Sequence, residues 1–300
     1  MRYEPLSHVN LSLFKEFCVK HKPDLDDSFL TEEDLSEFVP SPESPTCLAF
    51  EGDKLVAAAS LLMDEYHLRG KRARFRILFS EIPDSGIYRT LLDAVRPEKG
   101  AVDSWFLFVR DGAADLMACV REAGFHLERT SHILVREALP VAAADSPDGY
   151  GIRPFAFGQD EEAYAEIRNA AFANLMGSST PLTVKDVAAM EQDGDAIPGG
   201  IFFLEEAGRP IGVVRTVRDP GEGEDGPMLE IGPLAILPGF QGKGFGTLLL
   251  RHALRFGTEQ AALPRAVLSV NAENAPALGL YLREGFTVLM GLSCMQQDLL

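Results

Sequence analysis

The chain has 300 residues, of which 46% are hydrophobic and 24% charged, and its formal net charge is −17. This length accommodates two domains of ordinary size, and the composition is typical of soluble globular proteins. The excess of acidic side chains, without a local basic patch, argues against nucleic acid as a partner. No apolar run is long enough to span a bilayer, and the start of the chain does not resemble a signal peptide. We therefore expect a cytoplasmic protein without a membrane partner.

Four cysteines are scattered along the chain without a Cys-x-x-Cys pair. Such spacing favours free, buried thiols in a reducing compartment. It argues against both a disulfide framework and a zinc site, so we expect no metal.

In the first half, the residues from Glu51 to Val56 predict a tight hairpin between two apolar strands. A buried strand over Trp105–Val109 and a short helix follow, and then Gly124-Phe125 leads into another strand. The stretch 139–149 is small, polar and proline-containing, which is typical of a linker. The sequence thus predicts a first domain over 1–138 and a second over 150–300.

The second half has a regular order of elements. The pattern predicts a strand at Gly151–Pro154, helices over Glu161–Leu175 and Val184–Met190, a hairpin over Ile201–Val217, a strand over Met228–Ile236 and a helix over Gly246–Thr258. Strands that alternate with helices after a hairpin indicate an α/β fold with a mixed central sheet flanked by helices.

The two halves repeat each other. A shift of 161 positions brings the segment 102–125 onto 263–286, and Gly124-Phe125 then matches Gly285-Phe286. Both segments run from a buried strand through a short helix to Gly-Phe and another strand. This shared order indicates a tandem duplication of one α/β unit.

A glycine-rich turn joins the predicted strand ending at Ile236 to the helix beginning near Gly246. Glycines let the backbone curl with its N–H groups inward, and a helix N-terminus adds partial positive charge, so the turn suits a pyrophosphate. It is not a Walker loop, because Lys243 is followed by Gly244 rather than by Ser or Thr. Its glycine spacing also differs from that of the dinucleotide fingerprint.

The spacing Gln241-x-x-Gly244-x-Gly246 resembles the signature of the GNAT superfamily of acyl-CoA N-acyltransferases. The order of strand, loop, helix, strand and helix is similar to that family over roughly residues 197–290. The two-unit layout resembles tandem members such as mycothiol synthase. The resemblance implies two tandem GNAT-like domains and acetyl-CoA as the acetyl donor.

The resemblance also implies a set of cofactor-binding residues. A splayed strand would offer backbone groups near Leu234, Ala235 and Ile236 to pantetheine. The pyrophosphate would lie against Gln241, Gly242, Lys243, Gly244, Phe245, Gly246 and Thr247. A second cofactor motif would include Asn271 and Asn274. Two of these have ordinary alternatives, since Lys243 could be a plain exposed lysine and Asn274 a helix N-cap before Pro276.

Two residues are candidates for the chemical step. By resemblance, Tyr281 lies beside the cofactor sulfur as general acid, and Glu230 is a general base that acts through water. The alternatives are a core tyrosine and a solvated strand charge, and Gly232-Pro233 interrupts the strand that carries Glu230. Asn169 and Phe172 lie where the family builds its acceptor pocket, or they are ordinary helix surface and core.

The first half lacks these motifs. At the shift of 161 positions, the loop signature Gln241, Gly244 and Gly246 is matched by Ser80, Pro83 and Ser85. Proline has no N–H to offer a phosphate. We therefore expect a degenerate, non-catalytic first domain.

Three functions are consistent with this pattern. The first is an N-acetyltransferase that acts on an amine, either a small molecule or a protein amino group. The second is an acetyl-CoA-binding sensor or scaffold without turnover, and the third is a mycothiol-synthase-like acetyltransferase. Retention of Tyr281 and Glu230 favours an enzyme over a sensor. The chain could act as a monomer or a homodimer.

Overall fold

The computed structural model describes residues 1–98, 100–142, 146–221 and 226–299. The chain forms two compact units. The first comprises Met1–Ser131 together with Met290–Leu300, and the second comprises His132–Leu289. No helix in the described ranges combines the length and the apolar character that crossing a membrane requires.

Among its described residues, the first unit has five α-helices and most of its strands within the first 131 positions. These elements are β1 (Arg2–Pro5), α1 (Leu11–His21), α2 (Glu32–Glu37), β2 (Thr46–Glu51), β3 (Lys54–Leu62), α3 (Glu65–Arg69), β4 (Arg72–Ser80), α4 (Ser85–Ala94), β5 (Ser104–Arg110), α5 (Ala114–Glu122) and the start of β6 (His126–Arg136).

The second unit repeats this order apart from α3, as a tandem duplication requires. Its elements are the end of β6, β7 (Tyr150–Pro154), α6 (Glu161–Phe172), α7 (Val184–Ala189), β8 (Ala196–Glu206), β9 (Arg209–Asp219), β10 (Met228–Ile236), α8 (Phe245–Glu259), β11 (Ala266–Asn271), α9 (Ala275–Arg283) and the start of β12 (Thr287–Asp298). Each unit thus has the mixed sheet and helices that the sequence predicts.

The local sequence explains where the helices near the later site begin. Thr183 and Asp186 form a reciprocal capping box at the start of α7. The side chain of Asn274 accepts a hydrogen bond from the Ala277 N–H at the start of α9. The predicted capping role of Asn274 is therefore observed.

The second unit buries both faces of its sheet. On one face, α8 packs its apolar side over strand residues that include Val214 and Leu229. On the other, Tyr164 and Val187 from α6 and α7 pack against Val213. Burial of these apolar surfaces is the main stabilising contribution, at about 25 cal/mol per Å² removed from water.

Most of the last strand, from Met290 onward, belongs to the first unit, whose strand order is β1-β2-β3-β4-β5-β12-β6. There β12 pairs antiparallel with β5, from Leu292 opposite Arg110 to Asp298 opposite Ser104. Its Cys294 and Met295 are fully buried. The predicted second domain, 150–300, therefore does not coincide with the second compact unit, because pairing across almost 200 residues leaves no local sequence signal.

The predicted linker, 139–149, begins as ordered chain. The guanidinium of Arg136 donates hydrogen bonds to the carbonyls of Glu284, Leu139 and Pro140, at 2.8, 3.1 and 3.0 Å. These contacts fix the first linker residues to the second unit. Residues 143–145 lie outside the described ranges.

The connection from β4 to α4 is shorter than the connection from β10 to α8. The shift of 161 positions between the two halves is therefore not constant across this loop. Four residues, 81–84, separate β4 from α4, whereas eight, 237–244, separate β10 from α8. The structural counterpart of Ser80 is therefore Ile236, the last residue of β10, and not Gln241. Sequence matching across a loop of unequal length misassigned these positions.

Candidate functional site

The connection between β10 and α8 adopts a conformation that requires glycine. Residues Pro238–Phe240 form a short 3-10 helix, and Gly242 and Gly244 then take φ values of 76° and 86°. A Cβ at either glycine would meet no atom within 4 Å. The requirement is therefore backbone conformation and not lack of space.

The backbone N–H groups of this connection point to no protein partner. Gly244 caps α8 without a side-chain hydrogen bond, and within the described chain no N–H from Gly242 to Thr247 donates to another protein group. The first N–H groups of a helix carry partial positive charge and need acceptors. A phosphate group would satisfy several of them at once.

Next to this loop, β10 and β11 separate. Their parallel pairing is limited to Leu229 opposite Ala266 and Glu230 opposite Val267. Beyond it, β10 carries a bulge between Ile231 and Leu234 and continues alongside β9 only. The divergence opens a gap beside the last residues of β10, as the family resemblance predicts.

Two residues of β10 direct their backbone toward this gap. The Leu237 N–H donates to the Ile211 carbonyl of β9 at 2.9 Å. Because hydrogen-bonded pairs alternate in an antiparallel ladder, Ala235 also bonds β9, whereas Leu234 and Ile236 face the other way. Gln241 donates through Nε2 to the Ile236 carbonyl at 2.9 Å, which ties the loop to the strand end.

Other loop residues have structural roles as well. A Cβ on Gly246 would lie 3.1 Å from Leu280 Cδ1, so this glycine allows α8 to pack closely against α9. Phe245 is buried against the ring of Tyr150, at 4.6 Å between centroids. The exposed Lys243 places its ammonium 5.0 Å from the Phe240 ring centre. Thr247 lies in the first turn of α8.

Tyr281 lies on α9 and is only 9% exposed. Its ring packs edge-on against Phe286, with centroids 5.8 Å apart. Burial raises the pKa of Tyr281 to about 12, so the phenol remains protonated near neutral pH. No described protein group forms a hydrogen bond with its hydroxyl. The side chain is therefore a core tyrosine with a proton available for transfer.

Glu230 lies on β10, opposite Val217 of β9. The residue is exposed at the sheet surface, and neighbouring protein only partly desolvates its carboxyl group. Burial, and then the carboxylates of Asp219 and Asp195, raise the pKa of Glu230, while Arg215 opposes this effect. A carboxylate with a raised pKa is suited to accept a proton.

The predicted asparagines hold loops in place. Asn271, at the end of β11, donates to the Met176 carbonyl at 2.9 Å. Asn169 donates to the Leu182 carbonyl and accepts from the Leu182 N–H, both at 2.8 Å. The ring of Phe172 packs under the guanidinium of Arg168 at 5.2 Å. Cofactor and acceptor contacts from these residues stay predictions.

Sequence reasoning missed the charged residues around Glu230, namely Asp193, Asp195, Arg215 and Asp219. The guanidinium of Arg215 bonds the carboxylates of Asp193 at 2.6 Å and Asp195 at 3.4 Å. Residues 215, 217 and 219 share one face of β9 by the two-residue period of a strand. That period is visible in the sequence. The strand register that places Glu230 beside these residues of β9 is not.

Comparisons with known proteins assign the chain to a family. The model of the acetyltransferase (GNAT) family matches residues 165–286. A mycothiol acetyltransferase of Catenulispora acidiphila is 30% identical over 212 residues, which cover 69% of this chain and 67% of the relative. The chain belongs to the GNAT acetyltransferase family.

Further relatives carry the same name. A mycothiol acetyltransferase of Pseudarthrobacter chlorophenolicus is 31% identical over 208 residues, or 68% of this chain. The match spans 63% of that relative, slightly less than two thirds of its length.

Solved structures of GNAT proteins share the fold over nearly the whole chain. A GCN5-related N-acetyltransferase from Sphaerobacter thermophilus has a TM-score of 0.73 at 17% identity, covering 99% of this chain and 95% of its own. A tandem GNAT protein from the clavulanic acid biosynthesis pathway has a TM-score of 0.69 at 14% identity, covering 99% and 98%. At these identities the likeness establishes the fold alone. Among the described residues, no group of three or more potential metal-ligating side chains is found.

Proposed function

We propose that this GNAT family member is an acetyl-CoA-dependent N-acetyltransferase whose site lies in the second unit. The observation that carries the proposal is the loop 237–244, whose unpartnered amides adjoin the gap between β10 and β11. A pyrophosphate fits the amides from Gly242 to Thr247, which supply both N–H donors and the positive end of α8. The backbone groups of Leu234 and the N–H of Ile236, which face the gap, would pair with the amides of pantetheine.

In the proposed reaction, Glu230 takes a proton from the acceptor nitrogen as that nitrogen attacks the thioester carbonyl. The C–N bond forms and the C–S bond breaks. Tyr281 gives its phenol proton to the departing thiolate, and the proton held by Glu230 returns to Tyr281 through water. The protonated state of Tyr281 and the raised pKa of Glu230 support these two roles.

The acceptor in this proposal is an amine. Several relatives are named mycothiol acetyltransferase, which supports an acceptor of that chemical class. We propose the first unit as a non-catalytic domain, because its shorter connection before α4 has no glycine loop.

Two measurements test the proposal. Titration calorimetry with CoA is expected to give one site per chain, and a panel of primary amines is expected to release CoA from acetyl-CoA. Gly244→Pro removes one inward N–H and cannot adopt the φ of 86° at that position, so CoA binding is expected to be lost.

Gly208→Pro is the matched control. Gly208 has a φ of 82° and open space in the β8–β9 turn, so the backbone perturbation is similar while the loop 237–244 is untouched. Equal loss of CoA affinity in both variants would refute the loop as the cofactor site. CoA binding without release of CoA in the presence of any amine would indicate a sensor instead.

A further inference from the structure

The loop between α6 and α7, residues 173–183, crosses the gap between β10 and β11. On the near side of the gap, α6 packs over β9 and β10 in a cluster that includes Val213 and Ala235. On the far side, the Met176 carbonyl accepts a hydrogen bond from Nδ2 of Asn271 at 2.9 Å. Asn271 is the last residue of β11. The loop therefore joins the two strands that separate at the gap, and we name it the crossing loop.

Side chains of α6 fix the end of the crossing loop that leads into α7. Arg168, which is only 7% exposed, donates to the Thr180 carbonyl at 2.6 Å. Asn169 donates to the Leu182 carbonyl and accepts from the Leu182 N–H, both at 2.8 Å. These bonds do not depend on β11. The hydrogen bond from Asn271 therefore positions the other part of the loop, which lies over the gap.

The gap is covered differently on the two faces of the sheet. On one face lie α8 and α9, and Tyr281 of α9 belongs to the same buried cluster as Leu229 of β10. Neighbouring residues of a strand point to opposite faces, so Glu230 points to the face on which α6 and the crossing loop lie. An acceptor that meets Glu230 therefore approaches on the face that the crossing loop covers.

We propose that Asn271 is a positioning residue, whose bond to Met176 holds the crossing loop over the gap and so directs the acetyl group to the amine and not to water. The inference rests on the proposed function, because it concerns the same transfer step. In the competing hydrolysis, a water oxygen attacks the thioester carbonyl, the C–O bond forms and the C–S bond breaks. One water proton goes to the thiolate and the other to solvent, which leaves acetate and CoA.

The crossing loop can oppose this hydrolysis in two ways. A loop that closes over a reacting group excludes water from it. The side chain of Met176 is 53% exposed, so it presents an apolar surface at the place where the loop meets β11. Loss of the Asn271 amide would free this part of the loop and admit water.

Hydrogen exchange of the full chain without ligand tests the loop contact and requires no turnover. Asn271→Ala removes the side-chain amide, whereas Asn271→Gln retains an N–H donor. Backbone exchange over residues 173–178 is expected to be about fivefold faster in Asn271→Ala, the scale of one intramolecular hydrogen bond. Asn271→Gln is expected to restore much of the protection. Unchanged exchange in Asn271→Ala would overturn the inference.

Asn10→Ala is the matched control. Asn10 also donates through Nδ2 to a backbone carbonyl, that of Pro5 at 3.2 Å, but it lies in the first unit. The variant loses a bond of the same kind away from the gap, so exchange over residues 173–178 should stay unchanged.

The fraction of released CoA that is matched by acetylated amine tests the role in transfer. Without an amine, Asn271→Ala is expected to release CoA from acetyl-CoA about fivefold faster than the unmodified chain, and with an amine its matched fraction should fall. Asn271→Gln should recover most of that fraction, and Asn10→Ala should keep all of it. The Kd of CoA, measured by calorimetry, should change little in Asn271→Ala, because the loop and not the cofactor loses a partner.

The outcomes separate this inference from the function on which it rests. If Asn271→Ala acetylates amines with an unchanged matched fraction, the inference is wrong and the proposed function stands. If Asn271→Ala loses CoA affinity about fivefold as well, Asn271 contacts the cofactor directly and the inference is also wrong. If the unmodified chain acetylates no amine, the proposed function fails, and the role of Asn271 in transfer fails with it.

Discussion

The connections β4–α4 and β10–α8 occupy the same place in the two units, yet they end in different chemical surroundings. In the first unit, the Asp84 carboxylate accepts a hydrogen bond from the Gly86 N–H at 2.8 Å and so caps α4. In the second, Gly244 begins α8 without a side-chain cap. A carboxylate of the protein thus occupies the helix end that the second unit leaves open to an anion.

The first unit has a cavity beside its β4–α4 connection. The cavity has a volume of about 500 Å³ and is lined by side chains that include Glu81, Asp111 and Asp115. Hydrogen bonds from Lys20 and Lys54 lower the pKa of Glu81 to about 2, so this group is anionic at any physiological pH. The comparison shows that two connections at the same place in one fold can differ in both length and charge, and under the proposed function only the longer one in the second unit accepts a phosphate.

Removing the last strand is expected to have the largest effect on stability. It should destabilise the first unit while the second unit stays folded. A chain that ends at Leu289 lacks the strand between β5 and β6, including the fully buried Cys294 and Met295. Hydrogen exchange is expected to show lost protection in β5 while α8 stays protected. Retained protection in β5 would mean that the first unit does not need β12.

Tyr281→Phe is expected to lower kcat by roughly 10²–10⁴, the range of general acid catalysis, and to leave KM for acetyl-CoA nearly unchanged. Tyr88→Phe in the first unit is the control. Tyr88 is also buried, but its hydroxyl accepts from the Ser80 N–H at 3.2 Å, so its loss should lower stability and not turnover. If the chemical step limits the rate and Tyr281→Phe keeps the wild-type kcat, Tyr281 is not the general acid and only packs in the core.

The pH dependence of turnover tests the surroundings of Glu230. A base must be deprotonated, and burial and the nearby carboxylates raise the pKa of Glu230, so kcat/KM should rise with pH above the ordinary glutamate range. Asp195→Asn removes one of the negative charges that raise this pKa. The rise of kcat/KM with pH should therefore occur at lower pH in Asp195→Asn, and Glu230→Gln should abolish this rise. If kcat/KM rises over the same pH range in Asp195→Asn as in the unmodified chain, Glu230 is not the titrating base.

Asp84→Ala has the smallest expected effect. Loss of the cap should lower the free energy of unfolding by about 1 kcal/mol. Asp93→Ala near the other end of α4 is the control, since Asp93 is exposed and its loss should be neutral. Calorimetry should still find one CoA site per chain in Asp84→Ala, because the connection before α4 stays four residues shorter. A second CoA site in this variant would show that the carboxylate alone excludes the cofactor.

The sequence by itself determined the features that depend on neighbouring residues. The strand predicted over Met228–Ile236 has the same bounds in the structure, and α8 begins one residue before the predicted Gly246. The repeat, the glycine loop and the Asn274 cap were also readable. Apolar periodicity, glycine conformation and helix capping all act within a few residues, so their signals remain in the linear pattern.

Only the tertiary structure decided the features that depend on strand register. It assigned β12 to the first unit and placed Glu230 beside Asp219 and Asp195. It also gave the Gln241 side chain the Ile236 carbonyl as its partner. Each of these contacts joins strands or loops whose pairing is set by the packing of the whole core. A shift of one residue would turn such side chains to the opposite face, and no short window of sequence specifies that choice.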